Sequence, residues 1–215
     1  MLAGLLLLAG GAHAQLGLRA GVNTTTIATK AVRDSQYASA DAKTGYQIGV
    51  FYEHKLDARF SVLPELQFSR QRTDLQIDDN SIADGSYQAT CLLQISYVHL
   101  PVLLRARFGR FYAEAGPQGS LQLAARETGD EEIGTIIGSY RQSFDRLATD
   151  HYRRFDVGLC AGLGVQLPAG LALGLRASTG LLSLTPEQPM RRGYDGRQRS
   201  QVVQAALSYQ LRPRS

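Results

Sequence analysis

The sequence predicts an all-β chain: an eight-stranded antiparallel up-and-down transmembrane β-barrel with four long outer loops and three short periplasmic turns. Three observations carry that expectation. Apolar and small or polar residues alternate with period two along the chain, the apolar rows hold no Asp, Glu, Lys or Arg, and long connections alternate strictly with short ones.

Residues 1–14 join an apolar block to Ala12-His13-Ala14, the pattern of a secretory signal peptide cut before Gln15. The expected domains are a signal peptide over 1–14 and an outer-membrane barrel over 15–215. No Lys or Arg precedes the block, and no Cys near the cut suggests a lipid anchor.

The first row is Leu16, Leu18, Ala20 and Val22; the second is Tyr46, Ile48, Val50 and Tyr52; the third is Phe60, Val62, Pro64, Leu66 and Phe68. A fourth runs through Val98, Leu100, Val102, Leu104, Ala106 and Phe108. Beyond the two-residue link Gly109-Arg110, the fifth takes Phe111, Ala113, Ala115, Pro117, Gly119, Leu121 and Leu123. Phe155, Val157, Leu159, Ala161, Leu163, Val165 and Leu167 form the sixth, the clearest of all. Leu171, Leu173, Leu175, Ala177, Thr179 and Leu181 make the seventh; Val203, Ala205, Leu207, Tyr209 and Leu211 make the last. A lipid-facing surface demands rows without charge, because an Arg or Lys near the midplane costs about 2–4 kcal/mol.

Long connections are expected over 23–43, 69–89, 124–154 and 182–202, and short ones over 54–59, 109–110 and 168–170. With both termini periplasmic, Tyr46, Phe68 and Phe155 fall at the outer lipid boundary, and Tyr52, Phe60, Phe108, Phe111 and Tyr209 at the inner one. A secreted lipocalin-like ligand-binding barrel would point the same rows inward. That inversion would leave Gly17, Gly21, Gly49, Gly116, Gly158, Gly162, Gly164 and Gly174 on a wet surface, where glycine only weakens strands. Pro64, Pro101 and Pro117 interrupt predicted strands, and local bulges are expected to absorb them.

Composition narrows the function classes. The 215 residues carry 44% apolar residues, two Cys and a net charge of +4; with a mean hydropathy of −0.17 they contain no helical membrane bundle. Two Cys support neither a disulfide scaffold nor a four-ligand zinc site, and the scattered basic residues form no nucleic-acid motif.

Several segments resemble the PorT-like outer-membrane barrel proteins, often labelled "porin family", of Bacteroidetes-type bacteria: GLRAGVN (17–23), LPELQFS (63–69), YVHLPVLLR (97–105), FYAEAGP (111–117) and FDVGLCAGLG (155–164). The resemblance spans nearly the whole chain after the leader. It departs from the family at His99, where many relatives are acidic, and at the C-terminus, which lacks the usual aromatic residue. It implies a monomeric eight-stranded outer-membrane barrel inserted by the barrel-assembly machinery, with some relatives tied to protein export, and it carries over no active site.

The parity that turns the apolar rows outward turns Arg19, Glu53, Glu65, His99, Arg105, Glu114, Asp156 and Arg176 inward, as a polar lumenal network. Residues equidistant from the Gly109-Arg110 turn face each other, so Arg105 should pair with Glu114 and His99 lie opposite Ser120. Catalysis is not expected. Ser96 and His99 point to opposite faces, and Glu65 and Glu114 would sit in a filled interior. His54, His99 and His151 lack ligand spacing, and Cys91 and Cys160 are expected as free thiols. No cofactor is expected.

In the long connections, Asp130, Glu131 and Glu132 make one acidic stretch, and Arg191, Arg192, Arg197 and Arg199 make the last loop basic. Those arginines are candidate contacts for lipopolysaccharide phosphates or an acidic envelope partner. The expected role is structural or interactive, through the outer loops and linked to protein export, with a narrow small-solute channel as the alternative.

Overall fold

The computed structural model describes residues 14–28, 36–79, 85–135, 138–149, 153–182 and 199–211. Among them are nine antiparallel strands: β1 (Ala14–Ala28), β2 (Gln36–Lys55), β3 (Phe60–Asp79), β4 (Gly85–Phe108), β5 (Phe111–Thr135), β6 (Gly138–Leu147), β7 (Phe155–Gln166), β8 (Leu171–Gly180) and β9 (Arg199–Gln210). Every strand but β6 belongs to a closed ring. It runs β1-β2-β3-β4-β5-β7-β8-β9 and returns to β1, with Val22 opposite both Tyr46 and Ala205.

All the predicted outward rows face outward. Leu163 is 68% exposed, Leu175 62% and Leu100 58%, a belt of apolar surface that water does not tolerate at this extent. The lipocalin arrangement is thereby reversed, with polar side chains inside. The aromatics edge the belt as expected, with Tyr46 and Phe68 rings 6.3 Å apart at one margin and exposed Phe60, Phe108, Phe111 and Tyr209 at the other.

Three tight links close the second margin. Asp57 Oδ1 accepts from the Arg59 and Phe60 amides at 2.6 and 2.7 Å between β2 and β3. Gly109, at φ +63°, makes the β4–β5 turn in a left-handed conformation that favours glycine. Pro168–Gly170 forms a 3-10 turn between β7 and β8.

Two expectations about the wall need correction. The prolines produce no bulges: pairing lapses on one flank only and the register continues. Pro64 keeps its pairing with Val102, Pro101 with Gln118 and Pro117 with Leu159, while the opposite ladders skip those positions. A missing N–H removes one ladder bond on one side, which the remaining flank tolerates. The long connections, moreover, are strand for much of their length. β2, β3, β4 and β5 run well past the apolar belt, and β6 pairs with the end of β5 from Arg126↔Leu147 to Thr135↔Gly138. The acidic stretch at Asp130, Glu131 and Glu132 therefore lies in a strand.

Above the belt the outer face turns polar and the inner face of β4 turns apolar. Arg70, Arg72, Gln94 and Arg126 face out, while Leu93, Ile95, Tyr97 and Ala125 turn in and pack with Ala148. An extension standing in water needs this inversion, since its apolar side must now be the inner one.

Inside the ring, glycine makes room for aromatic rings from the facing strand. Gly17 lies opposite Phe51 and Gly164 opposite Tyr112, and a Cβ at either glycine would overlap that ring. Tyr112 also stacks under the Arg105 guanidinium, 4.2 Å from its centroid. Gly164→Val should lower stability by about 1–3 kcal/mol through overpacking. Urea unfolding followed by far-UV circular dichroism would show it, and adding Tyr112→Ala should recover part of the loss; strictly additive losses would mean that the two positions do not meet.

Candidate functional site

The lumen is filled in layers, which the inward side chains of β4 mark in order from the short-turn end: Arg107, Arg105, Leu103, Pro101, His99, Tyr97, Ile95 and Leu93. The first layer is ionic. Arg105 donates to Glu114 Oε2 through Nε at 3.0 Å and Nη2 at 2.8 Å, and its Nη1 reaches Glu53 Oε2 at 3.5 Å. Arg176 donates from Nε to Glu114 Oε1 at 2.5 Å and from Nη1 to Glu65 Oε2 at 2.8 Å. Arg19 lies 3.5 Å from Glu114 and 3.7 Å from Glu65. All six side chains are at most 4% exposed.

Three fully buried guanidiniums thus oppose three carboxylates, with Arg107 at the rim adding a fourth cation on Glu53. Such a layer survives burial only when charges are matched and hydrogen-bonded. Glu53 is also bonded by Ser61 Oγ at 2.6 Å, by Gln210 Nε2 at 2.7 Å and by Arg107. Arg107, outside the network expected from the sequence, is turned inward by the same parity as Arg105.

His99 and Asp156, named with this group, lie elsewhere. The His99 ring sits between hydroxyls, with Nε2 2.8 Å from Ser69 Oγ and Nδ1 2.8 Å from Ser120 Oγ. Tyr97 stacks on it at 5.4 Å. Asp156 Oδ1 accepts the Leu182 amide at 3.1 Å near the far end of β7. His99, Ser120 and Asp156 line one cavity of about 20 Å³, which has room for a single water. Between the ionic and His99 layers, Phe51, Leu63, Leu103 and Cys160 form an apolar cluster. Cys91 and Cys160 are buried free thiols.

Outside the ionic layer, at the short-turn end, a vestibule of about 440 Å³ is lined by Gln15, Arg105, Gln166, Ser208 and Gln210. It ends on Arg105. No group of His, Cys, Asp and Glu suited to a metal ion occurs among the described residues.

At the opposite end stands the sheet extension. β6 is exposed at all but one of its positions and is held to β5 by side chains. Arg126 Nε and Nη2 grip Asp145 at 2.6 and 2.5 Å, and Arg141 and Ser143 donate to Asp130 at 3.2 and 2.6 Å. Hydrogen bonds from Arg126 hold the Asp145 carboxyl below the usual carboxylate range, and those from Ser143 and then Arg141 do the same for Asp130. Of the loop arginines, Arg191, Arg192 and Arg197 lie outside the described residues, and Arg199 opens β9 opposite Ala28.

No curated protein sequence matches this chain. Solved structures similar to it include Ail, the attachment invasion locus protein of Yersinia pestis, at 11% identity and TM-score 0.45 over 93% of this chain and 100% of that one. Neisserial surface protein A matches at 7% identity and TM-score 0.48, again over 93% and 100%. The outer membrane protein OprG from Pseudomonas aeruginosa matches at 13% and 0.43, over 93% and 96%. The family model described as outer membrane protein beta-barrel domain matches residues 11–185. By that match, over strands that close into a ring with an apolar exterior, the chain belongs to the outer-membrane β-barrel protein family.

Proposed function

We propose that this protein is a monomeric, non-catalytic interaction barrel of the outer membrane, closed to solutes, whose working surface is the sheet that β2 to β6 raise above the lipid. The observation that carries this reading is β6 itself. It pairs with β5 along one edge, has no described strand on the other, and exposes nearly all its side chains. An edge strand of this kind offers unpaired backbone donors and acceptors to an extended segment of a partner protein. The resemblance to PorT-like barrels favours a partner from the protein-export or envelope machinery. Export would follow cleavage before Gln15, and insertion would use the barrel-assembly machinery.

The closed lumen weighs against the channel reading. An ionic layer stands between the vestibule and a cavity of about 20 Å³, too small for more than one water. The same filling weighs against an enzyme, since His99, Ser69 and Ser120 offer a substrate no room.

Photo-crosslinkers at Tyr140 and Gln142 should capture a defined protein from intact cells, while one at Leu163 on the lipid-facing wall should not. Capture of nothing at β6, or stable open conductance levels in planar bilayers, would overturn the reading.

A further inference from the structure

The described sheet contains two register shifts, between Lys43 and Tyr46 on β2 and between Ser96 and Tyr97 on β4, where β5 carries the extra residue. They lie at the same height on either side of β3. Each changes where a cation points. Below the first shift the odd positions Gln47, Phe51 and Glu53 of β2 face inward, which would bury Lys43; above it Lys43 is outward and 53% exposed. Below the second, the even positions Glu114, Gln118, Ser120 and Gln122 of β5 face inward, which would bury Arg126; above it Arg126 is outward and 54% exposed.

The cations so turned meet two more on the strand between them. Lys43 is opposite Arg72, Arg72 opposite Gln94 and Gln94 opposite Arg126, forming one row across four strands. Directly beneath is the row Tyr46, Arg70 and Ser96, and beneath that the apolar belt begins with Phe68 and Val98. Neighbouring strands are about 4.8 Å apart and successive same-side residues about 7 Å, so the four cations crowd one patch at the lipid boundary.

Among the described side chains, two acids serve these four cations. Asp74 serves Lys43 at 2.8 Å and Asp145 serves Arg126. Arg70 donates to a neutral amide, Gln94 Oε1, at 2.8 Å. Buried Nε atoms of Arg70 and Arg72 have no acceptor among the described residues. Surface pairs alone would not explain two register shifts delivering cations to one row, because each such pair contributes only about 0–1 kcal/mol.

We propose that Lys43, Arg70, Arg72 and Arg126 form a binding surface for the phosphate groups of the outer-leaflet glycolipid. The height of the patch selects this occupant: its cations lie where a lipid whose chains cover the belt places its charged head. Gln94 and Ser96 add neutral hydrogen-bonding groups to the same surface. The inference is independent of whether β6 takes a partner.

The test uses the full chain refolded in zwitterionic micelles and titrated with a diphosphorylated lipid A-type glycolipid. Arg70→Gln with Arg72→Gln should weaken binding roughly 25-fold, about fivefold per cation. Arg59→Gln with Arg110→Gln, at the short-turn end, should leave it unchanged, and raised salt should weaken the parent more than the Arg70/Arg72 variant. Lys43→Gln with Arg126→Gln serves as a second pair should the first fail to show heat-modifiable folding. Equal binding by parent and variants, equal loss in the short-turn control, equal binding of dephosphorylated glycolipid, or displacement by equimolar inorganic phosphate would each overturn the proposal.

Discussion

Glu114→Gln should lower the unfolding free energy of the barrel by about 3–5 kcal/mol, the range for removing one partner from a buried ion pair. The substitution keeps the side chain's shape and removes only its charge. Glu114 accepts two bonds from Arg105 and one from Arg176 and lies 3.5 Å from Arg19, so its neutralisation leaves those three buried guanidiniums with Glu65 and with Glu53, which Arg107 already shares. The exposed pair supplies the contrast. Asp145→Asn breaks an equally short contact with Arg126 and should cost far less, because water screens what remains. Replacing Arg105 and Glu114 together by Met should cost less than Glu114→Gln alone, since no unpaired charge is left behind. Reversible urea unfolding in micelles measures all three variants. A Glu114→Gln loss no larger than that of Asp145→Asn would mean that solvent already reaches the layer, and the lumen would not be closed.

What made this layer legible in advance was the two-residue turn at Gly109 and Arg110. A turn that short fixes the register of the strands it joins, so Arg105 against Glu114 and His99 against Ser120 followed by counting. Contacts across the lumen were beyond reach. Arg176 to Glu65 and Arg19 to Glu114 join strands that are not neighbours in the ring, and their meeting depends on barrel diameter and stagger, which period-two alternation does not encode.

The extension was misread as loops for a related reason. Alternation signals a strand only while its apolar positions keep one parity. At Leu123 and Ala124 both side chains are exposed, and the inward set of β5 changes from even positions to odd, from Gln122 to Ala125. The pattern above the belt therefore contradicts the pattern below it, and reads as no pattern at all. The prolines failed as signals in the opposite sense. Pro64, Pro101 and Pro117 suggested interruptions, yet each sits where a single flank gives up its pairing and the other holds the register.

The same belt and extension give the second large effect. Leu159, 55% exposed on β7, points away from the lumen, whereas Ile133, 42% exposed on β5, has the inward parity of Ala125 yet stands open to solvent in the extension. Leu159 lies within the belt, between Phe155 at one margin and the short turn after Gln166 at the other; Ile133 lies in the extension, opposite Tyr87 and Tyr140. In lipid vesicles, Leu159→Arg should destabilise the barrel by about 2–4 kcal/mol, the cost of a cation near the hydrocarbon midplane. Ile133→Arg should remain within about 0.5 kcal/mol of the parent, as for an ordinary surface substitution. The two residues have comparable exposure, so a difference between them measures the surrounding solvent rather than packing. Depth supplies a further constraint. Phe155→Arg, at the margin, should cost about 0–1 kcal/mol in lipid solvation, because the guanidinium can reach the head groups. A flat series across Phe155, Leu159 and Ile133 would place the exposed apolar rows in water and leave the reversed polarity of the wall without a cause.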